Sequence, residues 1–189
     1  MSRTVFAPGE TAGAAELTRA GLLMLGEKVA IDATAVFVPA DAEGTVRRIQ
    51  IGSGARVGAY SLICGGAHIG ENAQVEEHTI VGKPEKGYAV GQFYPGTGAH
   101  TQIGPGVIVR VGAVIYAGVQ AGPETVIGHH TLLRSFVTVG EDTQLGHSLT
   151  VERARPYRRW CAVLTRLPHH EQLRAGRPGV PRRRSPDRQ

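Results

Sequence analysis

An apolar residue returns at every sixth position over most of this chain. It stands at Ile51, Val57, Ile63, Ile69, Val75 and Val81. After an interruption it resumes at Ile103, Val109, Ile115, Ala121, Ile127, Leu133, Val139, Leu145 and Val151. Glycine usually follows it, as at Gly52, Gly58, Gly70, Gly104, Gly122, Gly128, Gly140 and Gly146. Two places before it the residue is small or β-branched, as at Ala55, Ser61, Ala73, Thr79, Ala113, Thr125, Thr131 and Thr143. Neither the 3.6-residue helical period nor strand alternation produces this pattern. A short strand and a turn every six residues does. Three such units close a triangular coil of about 18 residues, and coils stack at the ~4.8 Å spacing of parallel strands. The apolar residue points inward, the small one fits a narrow prism, and glycine with Asn or Asp accommodates the corner. Glycine at 26 of 189 residues and aromatics at only 5% agree with a core built without large rings.

On these repeats the chain resembles the hexapeptide-repeat acyltransferases, which implies an all-β, left-handed parallel β-helix. The handedness comes from the resemblance, because crossover connections are otherwise right-handed. The expected organisation is an N-terminal segment 1–28, a β-helix over 29–152 and an aberrant tail 153–189. Val29, Ile31 and Phe37 suit a ragged first coil. "AGAAELTRAGLLMLG" (12–26) suits a short capping helix whose Leu17, Leu22 and Leu25 cover the open end of the stack. The β-helix is interrupted by a loop, 83–102, that takes up most of "GKPEKGYAVGQFYPGTGAH" (82–100). Long loops on regular scaffolds often carry function. This one is read either as a tolerated surface insertion or as a flap over a neighbouring subunit, with Tyr88, Phe93 or Tyr94 shaping an acceptor pocket. Its opening, "GKPEKGYAVG", resembles a segment of acyltransferases from nucleotide-sugar or natural-product pathways.

The resemblance further implies a homotrimer that binds acetyl- or another acyl-coenzyme A as co-substrate, in the groove between subunits. It implies no permanently bound cofactor and no metal. A histidine then acts as general base on an amine or hydroxyl of a small acceptor, a task suited to imidazole at neutral pH. In "VIGHHTLL" (126–133), Ile127, Gly128 and His129 match a segment of type Ile-x-His-Asp-Cys, which carries the base in sugar-directed members. His129 is the first choice, although His130 stands where those members have an acid. His147, the second candidate, holds the same place after Leu145 and is read either as a second catalytic-face histidine or, preferably, as a repeated corner choice. Since 147 − 129 is 18, its expected position is one coil beyond, roughly 5 Å away. His78 and His100 flank the loop and are further candidates, and His68 has no supporting feature. Gly128 and Gly146 are expected on the coenzyme side of these corners. Arg134 is read as a partner for a coenzyme phosphate or an acceptor carboxylate, with a surface salt bridge as the plainer reading. The alternatives are a non-catalytic or truncated trimer and a zinc hydratase of the carbonic-anhydrase type. The hydratase needs three converging imidazoles, and the five-residue histidine spacing of that family is absent.

Residues 153–189 hold 11 arginines against Glu171 and Asp187, a net of +9. Residues 1–152 hold 10 basic and 14 acidic groups, a net of −4, and the two sum to the overall +5. Any nucleic-acid or acidic-lipid reading therefore rests on the tail alone. Its arginines are not interleaved with aromatics on one face, so neither nucleic acid nor membrane is expected as a partner. A frameshift near 153–155 is the favoured account of the tail. Read one nucleotide late, Trp160 followed by Cys161 gives glycine, and codons permit "IGDGV" at 157–161, with its Ile six after Val151. Cys64 and Cys161 make no disulfide framework. The first 21 residues lack a signal-peptide pattern and no apolar run approaches ~20 residues, so a cytoplasmic location is expected.

Overall fold

The computed structural model describes residues 6, 9–40, 45–86 and 99–152. Three parallel sheets of six short strands face one another, the architecture of a left-handed parallel β-helix of hexapeptide repeats. Sheet I contains Leu23–Leu25, Ile49–Ile51, Ala67–Ile69, Thr101–Ile103, Gln120–Ala121 and Thr138–Val139. Sheet II contains Ala30–Ile31, Arg56–Val57, Gln74–Val75, Ile108–Val109, Val126–Ile127 and Gln144–Leu145. Sheet III contains Val36–Val38, Leu62–Cys64, Ile80–Lys83, Val114–Tyr116, Leu132–Leu133 and Thr150–Val151. The chain visits I, II and III in turn, so each triplet of strands is one coil. The described residues make six coils.

All fifteen residues of the six-residue series are buried, from Ile51 to Val151 at 7% exposure. The small residues two places earlier are buried with them. Where that residue carries a hydroxyl, a corner carbonyl satisfies it. Ser61 donates to the Glu76 carbonyl (2.9 Å), Thr125 to Gly140 (2.8 Å) and Thr131 to Gly146 (2.8 Å). These hydroxyls thus enter the prism without an unpaired polar atom.

The β-helix starts earlier than the sequence suggests. Leu23–Leu25 already pairs with Ile49–Ile51, so the first coil begins six positions before Val29. The helix is confined to Ala14–Arg19. Leu17 is buried and Leu22 packs against the core, whereas Leu25 belongs to the first strand and stays 42% exposed. The start is hidden because an unbroken repeat would pair Leu23 with Asp41, whereas Leu23 pairs with Ile49, the surplus chain lying in the connection 39–48. Between coils three and four the partner of His68 is Gln102, where an unbroken repeat would bring Lys86. The insertion thus adds nearly a coil's length of chain to one corner. It leaves after Lys83 and returns at Thr101. Tyr88, Phe93 and Tyr94 lie outside the described residues, as do Trp160, Cys161 and the entire tail.

The corners also differ from expectation. Apart from Gly82, with φ 80°, the glycine that follows an inward residue does not take a left-handed conformation. Positive φ falls two residues later, where Lys28, Tyr60, Asn72, His78, Glu124, His130, Phe136, Asp142 and Ser148 stand alongside glycines. The first-corner glycine is there for close approach. A Cβ on Gly128 would overlap the Gly146 carbonyl of the next coil. The outward row of sheet III is apolar through coils one to five, with Val36, Leu62, Ile80, Val114 and Leu132, and ends at Thr150, while sheet I presents Gln50, His68, Gln102 and Gln120 in coils two to five.

Candidate active site

Each passage from sheet II to sheet III is a four-residue corner, formed by 58–61, 76–79, 110–113, 128–131 and 146–149 in coils two to six. This single edge of the prism gathers His78, His129, His130 and His147. The other described histidines lie elsewhere. His68 sits on the outer face of sheet I, its Nδ1 3.1 Å from the Gln102 amide nitrogen. His100 ends the insertion, one residue before Thr101.

His129 and His147 occupy the same corner place in successive coils, with ring centroids 5.0 Å apart and planes inclined by 34°. The spacing anticipated from their separation in sequence is present. The backbone N–H of His129 donates to Nδ1 of His147 (3.1 Å), and its carbonyl accepts from the Ser148 N–H (2.7 Å). Coil six therefore clamps the His129 backbone from both sides of its peptide. Among the described residues neither ring nitrogen of His129 has a hydrogen-bond partner, and the ring is half-buried.

The bond to Nδ1 has counterparts elsewhere in the fold. The second residue of a corner has an N–H that no strand receives, and at several corners a side chain of a neighbouring coil or of the insertion accepts from it. Ser53 Oγ takes it from Glu27 (3.1 Å), Glu76 from Val111 (3.1 Å) and Glu85 from Ser135 (3.0 Å). Pro105 and Pro123 hold the same place on another edge and lack the donor altogether. At His129 the acceptor is an imidazole.

His130 takes the left-handed place of its corner, with φ 55°. Its ring lies in the space left by Gly112 one coil earlier. His78, also left-handed, stacks on Tyr60 with centroids 5.1 Å apart and planes 15° from parallel. Tyr60 is 61% exposed, so this pair forms an open aromatic ledge at the far end of the edge.

Arg134 is placed differently from the reading as a coenzyme contact. It lies on the edge between sheets III and I. There its Nε donates to Glu85 (2.5 Å) and its Nη1 to Glu152 (3.1 Å). The hydrogen bonds it donates to Glu85 and then Glu152 raise its already high pKa, so it stays charged within this clasp. Burial pushes the Glu85 carboxyl up, but the Ser135 N–H and the Arg134 guanidinium outweigh it and hold the carboxyl below its usual value. The clasp fastens the root of the insertion onto coils five and six. The cation that shares the histidine edge is Arg110, paired with Glu76 at 2.5 Å and 39% exposed. Sequence reasoning passed over it, although 128 − 18 gives 110 and puts it directly before Gly128 in the stack.

Cys64 is buried, and burial, opposed in part by Lys83, pushes its thiol up to about 12, so it is no nucleophile at neutral pH. Among the described residues no three His, Cys, Asp or Glu side chains converge to hold a metal ion. No described helix is long and apolar enough to cross a membrane.

Residues 48–83 match the family model described as bacterial transferase hexapeptide (six repeats). No curated protein sequence matches the chain. Among solved structures it is similar to the acetyltransferase domain of PglB from Neisseria gonorrhoeae FA1090. Identity is 16% over 75% of this chain and 56% of that one, with a TM-score of 0.35. The same domain in complex with acetyl coenzyme A gives 15% identity over 72% and 58%, with a TM-score of 0.37. PerB from Caulobacter crescentus, in complex with CoA and GDP-perosamine, gives 16% identity over 74% and 54%, with a TM-score of 0.33. The chain thus aligns with under two thirds of the length of each of these proteins.

Proposed function

We propose that this hexapeptide-repeat chain transfers an acetyl or other acyl group from acyl-coenzyme A to an amine or hydroxyl of a small molecule, a sugar or natural-product intermediate. His129 is the general base. The observation that carries the assignment is the inequality of the two stacked rings. His147 has Nδ1 occupied by a backbone donor, while neither nitrogen of His129 has a hydrogen-bond partner among the described residues. His129 takes the proton from the acceptor as its nitrogen or oxygen attacks the thioester carbonyl. The tetrahedral oxyanion collapses, the carbon–sulfur bond breaks, and the imidazolium returns the proton to the departing thiolate. The thioester is already activated, so the chain's task is to orient, deprotonate and stabilise charge.

Gly128 and Gly146 keep this corner narrow, which lets a thioester approach the rings. Arg110 is better placed than Arg134 to meet an anionic group of either substrate, because it lies on the histidine edge. The apolar outer face of sheet III supports self-association, read here as a homotrimer. A second reading, a chain that has kept its scaffold and lost activity, is favoured by one observation: the repeat ends at Val151, a single strand beyond His147.

Calorimetry with acetyl-coenzyme A decides between them when run on this chain and on a version with the reading frame restored. Binding by both supports the enzyme reading, binding by the restored version alone supports a damaged enzyme, and binding by neither favours the scaffold. In an active chain His129→Ala is expected to lower turnover by about 10²–10⁴-fold. His68→Ala is expected to leave it near normal, and equal effects rule out the assignment.

A further inference from the structure

We propose that His147 is a catalytic hydrogen-bond donor of fixed tautomer, presenting Nε2–H to the thioester oxygen while His129 removes the acceptor's proton. The inference rests on the acyl-transfer reading and gives the second ring a role distinct from the first. A neutral imidazole carries one proton. The corner N–H of His129 donates to Nδ1 of His147 at 3.1 Å, as the N–H groups of Glu27, Val111 and Ser135 donate to side-chain oxygens. The proton must then reside on Nε2. Nε2 is separated from Nδ1 by Cε1 alone, so the bond that occupies Nδ1 leaves Nε2–H available, and His147 is exposed. The base candidate stands one coil away, at 5.0 Å between centroids. The two rings thus offer an unconstrained proton acceptor and a constrained donor along one edge.

That division suits acyl transfer. Negative charge grows on the carbonyl oxygen as the nucleophile attacks, and a donor already oriented costs no reorganisation at that moment. Neutral histidine serves as such an electrophile elsewhere, where its surroundings forbid the imidazolium. Here the constraint comes from a backbone amide, so a second proton on Nδ1 would abolish the bond that holds the ring.

The full-length chain with ¹⁵N-labelled histidine tests the tautomer without any substrate. At neutral pH the expected His147 spectrum has an unprotonated Nδ1 and a protonated Nε2. Kinetics with acetyl-coenzyme A and a panel of amino sugars, read as thiol release, test the role. In His147→Asn the amide oxygen replaces Nδ1 as acceptor but no donor stands at the Nε2 place. It is expected to unfold at the wild-type temperature, keep KM and lose about 100-fold in kcat. His147→Gln, whose amide reaches the Nε2 place, is expected to recover part of that loss. Wild-type turnover by the Asn variant means that the ring only caps the corner, and it overturns the donor role. A proton on Nδ1 in an active wild-type chain overturns it too, whether or not the variants fold. If the wild-type chain neither binds nor turns over acetyl-coenzyme A, the acyl-transfer reading fails first and the donor role falls with it.

Discussion

Gly128 and Gly146 look interchangeable in the sequence, each following an inward apolar residue, yet they meet different surroundings. A Cβ on Gly128 would overlap the backbone of coil six, whereas at Gly146 the nearest atom is a Leu149 methyl at 3.7 Å. Gly128→Ala is therefore expected to destabilise the fold by about 1–3 kcal/mol, the cost of overpacking. Gly146→Ala should cost well under half of that, and urea unfolding of the two variants compares them directly. Glu85 gives a residue-scale prediction on pH. Its folded carboxyl lies below the usual 4.5, so its contribution is present above that value and is lost as pH falls through the folded one. Melting temperature should fall on acidification below about 4.5, and Glu85→Gln should flatten that acid limb. A variant that melts with the same acid dependence as wild type would contradict the clasp.

The strands and corners were legible in the sequence to unequal degrees. Inward residues could be read directly, because a buried position repeated at every sixth place admits few substitutes. The partnership of His129 and His147 was legible too, since no insertion separates them and three hexapeptides make one coil. The place of His78 was not. It joins their edge only because the insertion leaves sheet III and re-enters on sheet I, lengthening a single corner by nearly a coil of chain. The six-residue period is equally content with re-entry on another sheet. The first coil was obscured in the same way by its longer connection. Clasp and corner bonds were illegible for another reason, as they join side chains to backbone amides whose lack of a partner appears only once the coils are stacked. At the scale of the sheet, the apolar outer row of sheet III carries a prediction. If the proposed self-association uses this face, Leu132→Glu should lower the mass in sedimentation while the circular dichroism of the β-helix persists. An unchanged mass would overturn the reading of this face as a subunit interface.

Coils stacked in register make one continuous prism, and each relies on the next for its backbone partners. The His129 peptide, for example, is held by coil six through His147 and Ser148. Deleting 138–152 should therefore remove activity even though His129 itself remains. Thiol release by the shortened chain would show that the base works without its neighbour. The same dependence makes the codon reading of the tail consequential, because a restored frame would continue the six-residue series beyond Val151.

The triangular winding also governs how lengths can change. Removing one hexapeptide between Ile103 and Ile127 keeps every apolar residue inside but turns all that follows by a third of a revolution, carrying both stacked histidines to a different edge. Removing three shortens the prism by one storey and leaves them facing as before. The fold thus tolerates the loss of any whole repeat, and the placement of its chemistry tolerates only losses in threes.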